Sequence, residues 1–432
     1  MNPLQSSKNE SHTRSIIPPF ILEAIARNGN AEQRRIAQQT LAIDAQIRTQ
    51  RTEAPLAGDQ ELAGPCKDRA VYTANNTTQL PGSPLRLEGQ PPCGDSEADE
   101  VYDGLGATFD LYFEEYGRKS IDDNCKKLIA TVHYGDLYSN AFWNGGQMVF
   151  GDGDPTIFTR FTMIDVTGHE LTHGIAALQY RDQSGALEES LCDVFGSLVK
   201  QRSLGQTAAQ ADWLIGAGAW AAGINGVAFR SLKAPGTAFH DPLLIHPLRP
   251  DGKDPQPSHM RNFVNLPNDP AHDHGGVHIN SGIPNKAFYL AAIALGGFAW
   301  EVAGNIWYRT MIDPRLSSTA QFQDFAILTC DNACQLYGSA VKAVVSQAWS
   351  GVGIDLCQAE TNRVNAAQAE INTIDTIIKV LQEQLKVAPA THKAGLVKAI
   401  REKQKEKRTI STGELADAKK ALQACRAQCP AE

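Results

Sequence analysis

Two histidines one helical turn apart constrain this chain more than any other feature. In the string IDVTGHELTHGI, His169 and His173 are four residues apart. They can meet one cation only if the segment is helical, where positions i and i+4 share a face. Glu170 then projects from the neighbouring flank, where it can take a proton from a water at the ion. A pattern this short also arises by chance. Alone, it is equally compatible with a solvated helix face carrying two ordinary histidines.

A second string narrows the choice. RDQSGALEESLCDVFGSLV reads as a turn followed by a helix. A hydrolytic zinc takes three protein ligands and keeps one position open. Glu189 is the expected third ligand. Asp193, four residues on, shares its face and can accept the free ring N–H of a ligand histidine, which orients the ring. The competitor is the adjacent Glu188. It would point about 100° away around the helix and is expected to be a solvent-facing charge. A third string, DHGGVHINSGIPNKAFYL, places two glycines before His278, which allows a tight backbone path. A histidine held opposite the metal can donate to an oxyanion. Asp273 is near enough in sequence to keep that imidazole oriented or protonated.

The rest of the chain must build a frame around these strings. Its 432 residues exceed what one hydrophobic core holds, so several domains are expected. After a Pro-Pro entry, ILEAIARNGN reads as a helix stopped by Gly29. AEQRRIAQQTLAIDAQIRTQR reads as a second helix, with Ile36, Leu41, Ile43 and Ile47 on one face. A small, polar linker follows, a natural place for proteolysis. RAVYTA, LRLEG, IATVHYG and QMVFGDGD are strand-like runs, interrupted by one helix around Asp99 to Tyr116. Helical patterns dominate from Ile164 to Val352. This is an α+β plan, a β-rich lobe followed by a helical lobe with a cleft between them. The expected division is 1–60 propeptide and linker, 66–178 β-rich lobe with the HELTH helix, 179–355 helical lobe, and 356–432 helical extension.

That last segment carries a heptad seam of Val364, Ala367, Ile371, Ile374, Ile378, Leu381 and Leu385. The helix breaks at Pro389, and a second helical stretch runs from about Lys393 to Gln428. An antiparallel hairpin is expected, bringing Cys357 beside Cys425 and Cys429. A disulfide fits there. The nine cysteines form no CxxC pair, and most of the others are expected to be ordinary thiols.

Composition excludes some partners. The formal net charge is −8, with no basic block in the enzyme-like part, so no nucleic-acid partner is expected. No apolar run is long enough to span a bilayer, so no membrane role is expected. The first residues do not form a secretory signal. Synthesis in the cytosol is expected, with any export by a different route.

HELTH, SGALEESLCDVFG and GGVHINSGIPNKAFYL, in that order, resemble the thermolysin family of metallopeptidases, and more closely its short, protealysin-like branch. The resemblance runs from about Val71 to Gly353 and includes LIATVHYGDLYSNAFWNGGQMVFGDGD, ADWLIGAGAW, FRSLKAPG and DPQPSHM. It implies a two-lobe peptidase whose single catalytic zinc is held by His169, His173 and Glu189, with Glu170 as base. It implies oxyanion donors in His278 and Tyr180, with Asp273 supporting His278 and Asp193 supporting His169. Asn140 and Ala141 would bind the substrate main chain. Arg230 would hold a substrate carbonyl beside a pocket lined by Val166, Ile215 and Phe229, which implies an apolar residue just after the cut bond. SIIPPFILEAIARNG resembles the branch's short propeptide, with Pro18, Pro19 and Phe20 as the motif that blocks the cleft. Substrates would be peptides or proteins.

The chain also departs from the family pattern. The stretch from His173 to Glu189 is shorter than usual, so the HELTH helix is expected to end early and Tyr180 is less firmly placed. Where relatives have acidic calcium ligands, this chain has Lys200, Leu214 and Ala217 beside Asp165 and Asp212. A lysine there opposes a divalent cation, and that calcium site is expected to be lost. The segment 358–428 has no counterpart in the family core and is expected to bind a protein partner or a second copy. The competing class is a non-catalytic, zinc-stabilised scaffold acting through that hairpin. Glu170 discriminates, because a structural zinc needs no base beside it.

Overall fold

The computed structural model describes residues 14–49 and 66–427. Its first described residues already join the sheet. Strand β1 (Arg14–Ser15) is followed by helices α1 (Pro19–Asn28) and α2 (Ala31–Thr49). Pro19 opens α1, where a missing N–H and a fixed φ fit the first turn. Gly29 closes it with its N–H on the Ile25 carbonyl at 2.9 Å. The expected linker cleavage region, between Gln50 and Cys66, falls almost wholly outside the described residues.

The β-rich lobe contains β2 (Arg69–Thr73), β3 (Ser83–Leu87), α3 (Ser96–Asp110), β4 (Leu128–Val132), β5 (Ala141–Trp143) and β6 (Met148–Phe150). Helix α3 starts earlier than its sequence pattern suggests, because the Asp95 side chain caps the N–H groups of Glu97 and Ala98. The sheet order is β1-β5-β6-β4-β2-β3. Strand β1 pairs antiparallel with β5, setting Arg14 opposite Trp143 and Ser15 opposite Phe142. The N-terminal segment thus adds a strand to a sheet edge, as an extended peptide would.

Helix α4 (Ile164–Thr172) crosses to α5 (Asp182–Ser203), and the two pack closely. A Cβ on Gly196 would fall 2.3 Å from the Asp165 carbonyl oxygen, so only glycine permits this approach. Every residue of α5 from Ser184 to Gln201 is buried, which makes it the central post of the helical lobe. Around it come β7 (Leu214–Ile215), β8 (Arg230–Ser231), α6 (Asp273–Asn280), α7 (Gly282–Leu295), α8 (Ala303–Met311), α9 (Phe322–Tyr337) and α10 (Ser339–Gly351). One apolar cluster runs from Ile16 and Ile17 through the sheet to Trp349 and Ile354.

The C-terminal extension consists of α11 (Gln358–Val387), α12 (Ala390–Thr412) and α13 (Glu414–Ala427). The seven seam residues meet Ile400, Ile410 and Leu415 in a separate apolar cluster. The second limb, expected as one helix, is instead broken at Gly413. Its φ of −102° and ψ of −92° lie off the helical range, which glycine tolerates. Helix α13 then reaches back to α10, where Arg426 bonds Gln347 and Ser350. Cys357 and Cys425 form a disulfide. Cys66 and Cys125 form another, and Cys334 is also disulfide-bonded. The expectation that most other cysteines are thiols is therefore corrected; spacing alone did not reveal partners brought together by the tertiary fold. Among the described residues, no helix is long and apolar enough to cross a membrane.

Candidate metal centre

The α4–α5 contact creates the site. His169 lies on α4, and His173 caps its C-terminus while keeping helical torsions of −57° and −28°. The two rings are 4.9 Å apart and nearly perpendicular. Glu189 reaches them from α5, with carboxylate oxygens 3.6 Å from His169 Nε2 and 3.5 Å from His173 Nε2. The ligand atoms of these three residues lie within 4.8 Å of one another.

Each ring is turned inward by a carboxylate at its far nitrogen. Asp193 lies 2.9 Å from His169 Nδ1, and Glu188 lies 3.1 Å from His173 Nδ1. The inward Nε2 atoms, together with Glu189 Oε2, have no hydrogen-bond partner among the described residues. Three buried polar atoms that face one another without a hydrogen bond cost free energy unless a cation joins them; His278 Nε2 approaches Glu189 Oε2 to 3.4 Å from the side. Two imidazoles and one carboxylate, each imidazole backed by a carboxylate, fit zinc.

Glu188 is therefore not the solvent-facing charge expected from sequence. It does point away from Glu189 around the helix, but α5 has no solvent face there, and Glu188 is 0% exposed. Burial and the neighbouring Glu189 push its pKa up to about 8, against the pull of Arg14.

Glu170 is also fully buried, and both its oxygens lack a hydrogen-bond partner. Burial first, then Glu189, raise its pKa well above the usual carboxylate range, against the pull of Arg230.

On the far side, His274, Gly275 and Gly276 adopt successive positive φ values of 49°, 89° and 77°. This kink folds Asp273 back onto His278, giving Nδ1 to Oδ1 at 2.6 Å and the His278 N–H to Oδ2 at 2.9 Å. Burial disfavours the His278 charge, but Asp273 and Glu189 outweigh it and hold its pKa at about 9. Tyr180 lies on the loop after α4. Its hydroxyl donates to Glu189 Oε1 at 2.5 Å and sits 3.3 Å from His278 Nε2. It is thus within the site, between the ligand carboxylate and the His278 ring.

The cleft wall holds the N-terminal segment. The Ile16 N–H donates to the Ala141 carbonyl at 3.0 Å. The Ile17 N–H donates to Asn140 Oδ1 at 2.9 Å, and Asn140 Nδ2 donates to the Ile17 carbonyl at 3.2 Å. Arg230 Nη1 donates to the Ile16 carbonyl at 2.8 Å, while its other nitrogens clamp Asp193 at 2.7 and 2.8 Å. Asn285 Nδ2 also donates to Asp193, at 2.9 Å, a partner that sequence reading missed. Burial opposes the Asp193 charge, but Arg230 and His169 hold its pKa below the usual range.

The hydrogen bonds to Asn140, Ala141, Arg230 and His278 are made by Ser15, Ile16 and Ile17, next to the buried Pro18 and Pro19. Proline lacks the N–H these bonds need, and Pro18 and Pro19 instead launch α1. Phe20 faces the His246 ring, 6.3 Å away.

Two other charged clusters are satisfied internally. Lys200 Nζ lies 2.9 Å from Asp165, 3.1 Å from Asp212 and 2.7 Å from the Leu214 carbonyl. His133 uses both ring nitrogens, on Asp152 at 2.7 Å and Asp95 at 2.9 Å.

Two family descriptions match consecutive stretches of the chain: "Thermolysin metallopeptidase, catalytic domain" over residues 57–177 and "Thermolysin metallopeptidase, alpha-helical domain" over residues 176–354. The chain is 51% identical over 349 residues to an extracellular metalloprotease of Pectobacterium carotovorum subsp. carotovorum, covering 80% of this chain and 97% of that one. It is 47% identical over 352 residues to protease PrtS of Photorhabdus sp. (strain Az29), covering 79% and 92%. Among solved structures it is similar to the precursor of protealysin, a metalloproteinase from Serratia proteamaculans, with a TM-score of 0.71 and 50% identity, covering 79% of this chain and 99% of that one. Both family matches end before α11.

Proposed function

This chain belongs to the thermolysin family of metallopeptidases, a metalloendopeptidase, and from that premise we propose that it is a zinc enzyme made as a self-blocked precursor. His169, His173 and Glu189 hold the ion, and the observation that carries this is their three bare, converging ligand atoms. Zinc, when bound, supplies the Lewis acidity that makes water a nucleophile near neutral pH and polarises the substrate carbonyl.

Glu170 takes the proton of the attacking water and passes it to the leaving amine. His278, kept protonated by Asp273, donates to the oxyanion. Tyr180 assists by holding Glu189. Asn140, Ala141 and Arg230 align the substrate main chain. Val166, Ile215 and Phe229, all buried and apolar, would line the pocket for an apolar residue just after the cut bond.

Cleavage in the 50–65 linker would let the segment leave the cleft. The Lys200 ammonium stands where a calcium would otherwise bind, so no calcium is proposed there. The disulfides favour work outside a reducing compartment. The non-catalytic scaffold reading is not favoured, since a base and an oxyanion donor flank the ligand set.

The test is Glu170→Gln. Peptidase activity should fall by about 10²–10⁴-fold with zinc content unchanged. Native activity in that variant would refute the assignment.

A further inference from the structure

The segment Arg14–Ile17 lies in the cleft with the polarity of a substrate. The Ser15 carbonyl faces His278 Nε2 at 2.7 Å, where the oxyanion donor belongs. The Ile16 N–H and carbonyl are held by Ala141 and Arg230, and the Ile17 amide is bracketed by Asn140. The Ser15–Ile16 bond is thus in the register of a bond to be cut, and Arg14 is the second residue before it.

The Arg14 side chain enters a small acidic recess. Its Nε is 2.6 Å from Glu188 Oε1, Nη1 donates to the His173 carbonyl at 3.1 Å, and the guanidinium carbon lies 5.9 Å from the centre of the Tyr180 ring. The side chain is 14% exposed and Glu188 0%. Neither Arg14 Nε nor the second Glu188 oxygen, Oε2, has an aligned hydrogen-bond partner among the described residues, so the Arg14–Glu188 contact is an ion pair rather than a hydrogen bond. Once the segment leaves, Glu188 Oε1 still faces His173 Nδ1 at 3.1 Å but loses the guanidinium beside it, and the recess is free to take another basic side chain. Arginine matches a carboxylate and an aromatic face better than lysine does.

We infer that Glu188, with Tyr180, forms a subsite for a basic side chain, and that the enzyme selects substrates carrying arginine two residues before the cut bond. This deepens the peptidase reading of the same cleft and rests on it. The segment Arg-Ser-Ile-Ile is accordingly the chain's own copy of a preferred substrate, and Glu188 a specificity-determining residue.

The experiment uses the matured enzyme and four fluorogenic peptides with the sequence Thr-X-Ser-Ile-Ile-Pro, where X is arginine, citrulline, alanine or glutamate. Cutting at Ser–Ile is confirmed by mass. The arginine peptide should exceed citrulline and alanine in kcat/KM by at least about tenfold, and glutamate should be the poorest. In Glu188→Gln the arginine-to-citrulline ratio should collapse towards one. Equal rates for arginine and citrulline in the wild type overturn the subsite, as does a Glu188→Gln enzyme that keeps the ratio. Should Glu188→Gln fail to fold, the wild-type arginine-to-citrulline ratio decides alone. Should the zinc-loaded wild type cut none of the four peptides and no casein, the peptidase reading fails instead. The affinities of the arginine and citrulline peptides, read by fluorescence anisotropy, then decide the subsite separately.

Discussion

Helices α4 and α5 carry two cation sites that differ in one respect. At one, His169, His173 and Glu189 converge and leave three buried ligand atoms bare. At the other, one turn earlier on α4, Asp165 faces Lys200 from α5, and the ammonium is already in place. The first end must import its cation, and the second grows one on its own backbone. The difference teaches how one helix pair can combine a dependent site with an independent one. Chemistry needs an exchangeable Lewis acid with an open position. Holding the fold together needs only charge balance, which a side chain supplies without regard to ion supply.

Chelation is the largest way to sharpen that contrast. Removing zinc should abolish peptide cleavage, and zinc alone, not calcium, should restore it. The melting temperature should fall as well, since an ion present at a thousand times its Kd stabilises by about 4 kcal/mol. Added calcium should leave the melting curve of the zinc-loaded protein unmoved. A calcium-dependent rise would break the comparison.

Next in size is Lys200→Met. It removes one partner of a buried pair and leaves Asp165 charged and 2% exposed, so urea unfolding should show a loss of about 3–5 kcal/mol with the zinc content intact. Asp193→Asn acts at the other end. It weakens the acceptor at His169 Nδ1, and zinc affinity, measured by competition with a chromophoric chelator, should drop about 10–100-fold.

The smallest effect is in pH. Burial lowers the Lys200 pKa, but Asp165 and Asp212 outweigh it, so the folded value lies above 10.5. Its stabilisation is therefore complete below 10.5 and declines only as pH rises through the folded value. The stability gap between wild type and Lys200→Met should stay constant from pH 6 to 9 and narrow above pH 10.5.

What the sequence determined by itself was local or periodic. Four-residue spacing placed His169 with His173 and Glu189 with Asp193, because a helix repeats fast enough for near neighbours to share a face. The seam from Val364 to Leu385 was legible for the same reason, and so was the division into a β-rich and a helical part. Only the tertiary structure decided the rest. Glu188 is buried because α5 is enclosed on all sides, which no property of α5 alone reveals. Ser15 to Ile17 bond along the cleft because an edge strand more than a hundred residues away pairs with them. Cys66 meets Cys125 through distant parts of the chain. These outcomes depend on which surfaces pack together, and packing is settled by the whole molecule rather than by any stretch of it.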